Sequence, residues 1–497
     1  MTWAPGSGSL RGLAHAAGDL LVEAPADLEI TGLAYDSRLA QEGDLFFCVP
    51  GAKRDGHDFG ARAIAAGARA LVVERRLGLG APEVVVTDAR RAMGRMAAEF
   101  FGLPAADLLL LGVTGTNGKT TTTFLLEAIL AAAGHTTGLI GTIETRVAGR
   151  RRGGVRTTPD SLDLQRLLAQ MRESEVSAVA MEVTSHALVL HRVEGIRFAA
   201  AGFTNLSQDH LDFHASMEDY FAAKRLLFSR DRADAGATNV DDPHGREIAR
   251  ASEVPTIGFG TAPDAAVRPE RIRMGPWGQE FVALTPAGEL KIKTSLVGGF
   301  NLSNCLAAIA TAHQAGLAPE AIENGLAAVR AVPGRFEGVD AGQPFAVVVD
   351  YAHTPDSLDN VLREARRMAE RQGGRVLCVF GCGGDRDRTK RPLMGTVAAR
   401  NSDAVIVTSD NPRSEDPEAI VAEILPGVLA ERTAGADHVL IDRHEAIAVA
   451  IREARSGDVV VIAGKGHETG QEFADRTIPF DDRAVAHDVL RDQGWGV

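Results

Sequence analysis

The residues Gly115, Thr116, Asn117, Gly118, Lys119, Thr120 and Thr121 spell GTNGKTT, small residues, one lysine and a run of hydroxyls. That order suits phosphate. Gly115 and Gly118 let backbone N–H groups turn inward, the start of a helix adds partial positive charge, and Lys119 reaches outer phosphates. Thr120 stands where such loops offer a hydroxyl to magnesium. The usual pattern asks for a glycine at the position taken here by Val113. Placement overrides that defect. Leu108 to Leu111 run into Gly112 as a buried strand, and Phe124, Leu125, Ala128, Ile129 and Ala132 keep helical spacing. The loop therefore occupies a strand-to-helix corner and its turn begins at Gly115. A plain glycine turn has no need of a lysine beside a helix N-terminus, where the dipole disfavours it. The expected chemistry is binding of a nucleoside triphosphate.

A second concentration of reactive groups lies in the last third of the chain. The runs FAVVVD, RVLCVFG, DAVIVTSD and DVVVIAG lead into DYAHTPDS, GCGGDRDRTKR, SDNPRSED and GKGHETGQE. In open parallel α/β sheets, ligands sit beyond the carboxyl ends of the strands. Loops are ordinarily polar, but Gly-Gly-Asp-Arg-Asp and Gly-Lys-Gly-His-Glu together predict a ligand site at that rim. Between the two regions, Glu182 ends the run VSAVAM and His210 follows FAAAGFTN, a pair able to hold a second divalent cation. Lys224 in YFAAKRLLF, read by itself, is a helix-surface lysine.

These residues need a scaffold, and 497 residues exceed one ordinary core. Short apolar runs between Leu28 and Asp88 suggest a small α/β module. A larger α/β block begins at Asp107 and carries a β-rich insertion around Val267–Val297. After Val332–Gly338, β-branched runs alternate with helical stretches such as Ser357–Arg371 and Pro417–Glu431, the pattern of a parallel sheet covered on both faces. The expected fold is α/β with three domains: 1–104, a central P-loop-type ATP-binding domain over 105–334, and a Rossmann-like domain over 335–497. The four cysteines suit a reducing compartment, and the chain start shows neither leader nor transit pattern, so a cytoplasmic protein is expected. No apolar run suits membrane insertion. A net charge of −13 argues against nucleic acid as partner and leaves anions to local donors.

The motifs GTNGKTT, EVTSHAL, TNLSQDHLD, YFAAKRLLF, GGFNLSN, VPGRFE and DYAHTPDS occur in one order along nearly the whole chain. In that set the sequence resembles the Mur ligases, ATP-dependent amide-forming enzymes of peptidoglycan synthesis. GCGGDRDRTKRPLM, SDNPR and GKGHETGQ further resemble the branch that adds meso-diaminopimelate to UDP-N-acetylmuramoyl-L-alanyl-D-glutamate. The resemblance implies ATP as co-substrate, Mg2+ as cofactor, an acyl-phosphate intermediate and a monomeric enzyme. It implies that Lys119, Glu182, His210 and Lys224 are catalytic, with Lys224 a carbamate that joins Thr120, Glu182 and His210 around the metal. Asn301, Arg335 and Asp350 become nucleotide contacts beside the loop. Ser37, Thr157, Thr158, Thr184 and Arg192 become contacts to the nucleotide-sugar substrate. Arg386, Asp410, Asn411, Pro412, Arg413, Gly464 and Glu468 become the amino-acid pocket. Diaminopimelate is lysine with an extra far carboxylate, so a planar bidentate donor is needed, and Arg413 suits it. Glu468 suits the distal ammonium and Arg386 another carboxylate. The bland alternative pairs Arg413 with Glu415 or Asp416. Thr184 replaces a commoner serine and Leu190 a glutamine of some relatives. A lysine-adding, other-step or folylpolyglutamate-type ligase, or a nucleotide-binding module without chemistry, remains open at this point.

Overall fold

The computed structural model describes residues 8–51, 54–152, 156–211, 213–275 and 278–496. Residues 1–7, within the stretch read for a leader, lie outside them. Three larger sheets carry the architecture, each with apolar residues on its covered faces.

The first has the order Leu21–Glu23, Glu83–Val86, Ala70–Val73, Asp44–Phe47, Gly32–Ala34, parallel except for its Leu21–Glu23 edge. Helix Ala89–Phe100 buries Ala92, Met93, Met96 and Ala97 against it. The same core takes in Leu162 and Ala169 from the next sheet's helix Ser161–Glu173, so the first two units share apolar packing.

The central sheet has eight strands. Its parallel part runs Thr137–Ile140, Ala178–Glu182, Leu109–Thr114, Ala200–Phe203, Gly236–Asn239, Thr256–Phe259. A hairpin of Thr145–Val147 and Arg150–Arg152 extends one edge antiparallel. Leu110, Leu111 and Val113 are at most 1% exposed, because helices cover both faces. Each such buried aliphatic side chain contributes about 1.5–3 kcal/mol, and that anchors the corner where the phosphate loop begins. Helices Lys119–Ala132 and Gly299–Gln314 pack on one face, Ser161–Glu173 and Met217–Arg225 on the other. The expected β-rich insertion is an antiparallel three-stranded sheet, Arg268–Gly275, Gly278–Thr285 and Gly288–Thr294.

The last sheet has the order Glu337–Gly338, Ala346–Asp350, Val459–Ala463, Val376–Phe380, Ala404–Thr408, His438–Leu440. All but the first pair are parallel. Helices Pro355–Gln372, Lys390–Asn401 and Pro417–Glu431 cover one face, Arg443–Glu453 and Asp482–Asp492 the other. Val376–Phe380 and Val459–Ala463 are wholly buried, as continuous β-branched runs require. Their carboxyl ends lead into the glycine and charge-rich loops.

Candidate active site

The corner between Leu109–Thr114 and Lys119–Ala132 forms as its glycines dictate. Gly115 has φ 146° and Gly118 φ 86°, values that a side chain resists. A Cβ on Gly115 would collide with the Thr204 hydroxyl, and one on Gly118 with the Asn304 side-chain oxygen. The neighbouring strand end grips the loop. Asn117 donates its N–H to Asn205 Oδ1 at 2.9 Å, and Thr204 Oγ1 donates to the Asn117 carbonyl at 2.6 Å. Thr116 donates its N–H to the Asn205 carbonyl at 2.8 Å. Thr120 and Thr121 follow in the first helical turn, both buried.

Two amines converge on this loop. Lys119 Nζ donates to the carbonyls of Gly115 at 2.9 Å and Thr116 at 2.8 Å. Lys224 Nζ donates to the Gly115 carbonyl at 2.7 Å and lies 4.3 Å over the Tyr220 ring. The bland reading of Lys224 as a helix-surface lysine is therefore wrong: it is 1% exposed. Helix Met217–Arg225 points it inward beside Tyr220, a packing its own sequence does not advertise. Burial first, then repulsion from Lys119, pushes the Lys224 amine well below an ordinary lysine. Burial lowers Lys119 too, although Glu182 and Asp209 oppose the shift.

Glu182 ends its strand as expected and is 1% exposed. Its oxygens accept from the Thr142 N–H at 2.8 Å and the Thr142 hydroxyl at 3.1 Å. Among the described residues no cationic side chain pairs with it. A buried carboxylate with no direct ion pair, only the nearby charge of Lys119, fits a bound cation. His210 sits in the next loop at φ 55°, its ring edge-on to His186 at 4.8 Å. No group of three or more His, Cys, Asp or Glu side chains is poised for a metal among the described residues. Glu182 and His210 thus do not stand in a ready-made cluster, and Asp209 adds a second carboxylate beside His210. Lys224 fits such a donor set only once its amine has become an anion.

The last sheet closes over the loop. Arg335 Nη2 donates to Thr120 Oγ1 at 3.3 Å, its guanidinium lies 4.6 Å over the Tyr351 ring, and its buried Nε has no partner among the described residues. Asp350 ends its strand and accepts from the N–H groups of Phe336 and Ala352, each at 2.7 Å. Burial pushes its carboxyl up to about 6, against the pull of Arg335 and those two donors. Asn301 lies in the first turn of Gly299–Gln314 and bonds the Val297 carbonyl and Asn304. Sequence reasoning missed Asp356. Its Oδ2 accepts from Asn117 Nδ2 and Ser207 Oγ, both at 2.8 Å, and ties the last sheet to the phosphate loop. Its only signal was a place inside DYAHTPDS.

The substrate residues of the central unit also gather. Thr158 Oγ1 donates to the Glu182 carbonyl at 2.9 Å and lies 3.5 Å from the hydroxyl of Thr184, the cap of helix Ser185–Val189. Thr157 meets Thr142 at 3.1 Å, so the hydroxyl cluster borders the carboxylate of Glu182. Arg192 donates to Asp160 and to the Thr158 carbonyl. Burial and the nearby Arg156 and Arg90 lower it to about 10, the mark of crowded guanidinium groups. Ser37 is buried in the turn after Gly32–Ala34 and makes no side-chain hydrogen bond among the described residues.

At the carboxyl rim of the last sheet, Arg413 takes φ 52°. Non-glycine residues rarely adopt that conformation, yet His210 and Asp385 in the site loops share it. Arg413 Nε donates to Glu472 Oε2 at 2.8 Å and Nη1 to the Gly384 carbonyl at 2.9 Å. The expected alternative partners are not the ones found, since Glu415 is held by Arg391 and by the Asp385 N–H. Asn411 Nδ2 donates to Glu468 Oε2 at 2.7 Å. The Asp410 carbonyl accepts from Gln471 at 2.6 Å, and its carboxylate abuts Gly464, where φ is 119°. The Pro412 carbonyl accepts the Glu415 N–H. Arg386 is exposed and, among the described residues, donates only to the Asp385 carbonyl. The rim thus sets a cationic pole at Arg413 beside an anionic pole at Glu468.

A phosphate cradle on one sheet, roofed by an arginine of the next, defines an α/β enzyme that works on a triphosphate. Comparison with known proteins narrows the class. Residues 29–101 match the Mur ligase family catalytic domain, 113–312 the Mur ligase middle domain, and 334–466 the Mur ligase glutamate ligase domain. A protein of Solibacter usitatus named UDP-N-acetylmuramoyl-L-alanyl-D-glutamate--2,6-diaminopimelate ligase is 49% identical over 475 residues, 95% of each chain. One of Syntrophomonas wolfei with the same name is 47% identical over 477 residues, 95% of this chain and 96% of that one. A solved structure of a ligase so named superposes with a TM-score of 0.71 at 31% identity, covering 98% of this chain and 99% of that one. The chain belongs to the Mur ligase family and is a ligase.

Proposed function

We propose that this ligase joins meso-diaminopimelate to UDP-N-acetylmuramoyl-L-alanyl-D-glutamate at the expense of ATP, as a cytoplasmic monomer in peptidoglycan precursor synthesis. No helix is long and apolar enough to cross a membrane among the described residues. Residues 1–104 take the nucleotide end through Ser37. Residues 105–334 hold ATP and the muramoyl dipeptide, and 335–497 supply the amino acid. The observation that supports the substrate is the presence of Arg413 and Glu468 on one rim, joined through Asn411 and Glu472 in a single hydrogen-bond network. That combination suits an amino acid whose far end bears both carboxylate and ammonium.

Chemistry follows from the placement of charge. The free carboxylate of the dipeptide attacks the γ-phosphorus, the β,γ P–O bond breaks, and ADP leaves. The amine nitrogen of diaminopimelate then attacks the acyl carbon and loses its proton, and inorganic phosphate departs with the C–O electron pair. Two anions must meet in the first step, so cationic groups lower its barrier. Lys119 is poised to leave its loop carbonyls for the outer phosphates. Arg335 reaches over the same corner from the last sheet, so closing of the two sheets completes the site. Thr120, Glu182 and His210 would hold Mg2+, which supplies charge neutralisation between triphosphate and carboxylate. Lys224 joins them as a carbamate: its neutral amine adds to CO2, forming an N–C bond and releasing one proton. Burial favours the neutral amine that this addition needs.

Phosphate release with the UDP-muramoyl dipeptide, comparing meso-diaminopimelate with lysine, tests the proposal. Release with diaminopimelate alone is expected. Equal use of lysine, or no release with either, overturns it.

A further inference from the structure

Behind the two poles of the amino-acid rim runs a circuit of hydrogen bonds through Lys465, Asn411 and Glu472. Lys465 is 0% exposed. Its Nζ donates to Asn411 Oδ1 and Glu468 Oε2, both at 2.9 Å, and to the Gly470 carbonyl at 2.6 Å. Every proton of the ammonium is used. Asn411 Oδ1 also accepts the Glu472 N–H at 3.0 Å. Glu472 returns to Arg413 twice, its Oε2 taking Nε at 2.8 Å and its carbonyl taking the Arg413 N–H at 3.0 Å. The path Glu468–Lys465–Asn411–Glu472–Arg413 therefore joins the anionic pole to the cationic one.

The circuit also decides which atoms stay available. Glu468 Oε2 is filled by Lys465 and Asn411, while Oε1 has no hydrogen-bond donor among the described residues. Arg413 Nε is filled by Glu472 and one Nη1 proton by Gly384, so the outer edge of the guanidinium remains for a carboxylate. A charge buried without substrate contact persists only when its hydrogen bonds are complete and oriented. A guanidinium anchored at Nε loses less freedom on binding.

We propose that Lys465 and Glu472 are positioning residues for amino-acid selection: Lys465 presents Glu468 Oε1 to an ammonium, and Glu472 presents the outer edge of Arg413 to a carboxylate. The inference rests on the reading of the rim as the diaminopimelate site. Its test is steady-state phosphate release by the full-length enzyme, with each of the three substrates varied in turn. Glu472 is half exposed, so Glu472→Ala keeps the fold. It is expected to raise the KM for diaminopimelate about tenfold, with the KM values for ATP and the nucleotide dipeptide unchanged. Because Glu472 acts through Arg413, adding Glu472→Ala to Arg413→Ala should cost nothing further. Lys465→Met is expected to raise the same KM selectively, with a melting curve run to confirm folding. An undiminished effect of Glu472→Ala in the Arg413→Ala background, or equal rises in all three KM values, overturns the positioning role. If Lys465→Met does not fold, Lys465→Arg, which keeps the charge but not the three-donor geometry, is read the same way: a KM for diaminopimelate that does not rise selectively overturns the Lys465 role. Failure of the underlying substrate reading shows separately, in a wild type that releases no phosphate with diaminopimelate.

Discussion

Lys119 and Lys224, from two different helices, donate to one acceptor, the carbonyl oxygen of Gly115, at 2.9 and 2.7 Å. Neither has a carboxylate within ion-pairing distance among the described residues. Two buried amines without a paired carboxylate suit a site that takes up anions, and Lys119 helps to loosen the proton of Lys224. In the proposed mechanism the two lysines have different fates: Lys119 serves the phosphate, and Lys224 gives up its proton to become the nucleophile toward CO2.

Lys224→Ala should accordingly reduce ligation below about one per cent of wild type, with partial recovery in formate, whose carboxylate replaces the missing one. The wild type should also slow in CO2-depleted buffer and recover on adding bicarbonate. Full activity of the unrescued variant, measured as phosphate release, sinks this role.

If Arg413 selects the amino acid as proposed, its substitution should show it. Its loss should remove about 2 kcal/mol of discrimination, roughly thirtyfold in the ratio of kcat/KM for diaminopimelate over lysine. Turnover of ATP with saturating diaminopimelate should suffer far less than that ratio. A ratio unchanged in Arg413→Ala places selection elsewhere on the rim.

Much of this was legible in sequence because local rules wrote it. Gly115 and Gly118 announced positive φ, four leucines announced a buried strand, and Arg413 fell at a strand end. Partners across the fold were not legible. The contact between Lys224 and Gly115 spans 109 positions, and that between Asp356 and Asn117 spans 239. Glu472 is closer to Arg413 in space than Glu415 although it is farther in sequence, because Arg413 bridges to Phe473 as a strand would. Local propensity carries no information on such pairings, which the order of strands in the sheets decides.

Asp356 makes a sharper case. Its carboxylate ties the last sheet to the phosphate loop through Asn117 and Ser207, yet it also sets negative charge where a triphosphate must approach. Asp356→Ala should therefore lower the KM for ATP about threefold by removing that repulsion while lowering kcat through loss of the tie between sheets. Varying ATP at saturating co-substrates separates the two effects. A raised KM for ATP shows the carboxylate to be purely supportive.

Asp350 should give the enzyme an acid-side pH dependence of a definite sign. Burial raises its carboxyl to about 6, above the unfolded value near about 3.9. The folded state thus binds this proton more tightly than the unfolded state. The stability contributed by protonated Asp350 is fully present below pH 4 and is lost as pH rises through about 6. Ionisation also affects ATP binding: a charged Asp350 adds negative charge beside the nucleotide and draws Arg335 from the phosphates, so the KM for ATP should rise as pH rises through about 6. Asp350→Asn loses one acceptor for the Phe336 and Ala352 N–H groups, a constant offset, and removes both pH slopes. Between pH 4 and 6.5 the wild type should therefore lose up to about 3 kcal/mol of stability relative to Asp350→Asn, read from paired denaturant titrations. Stability differences that stay constant across that range overturn the role of Asp350 in both effects.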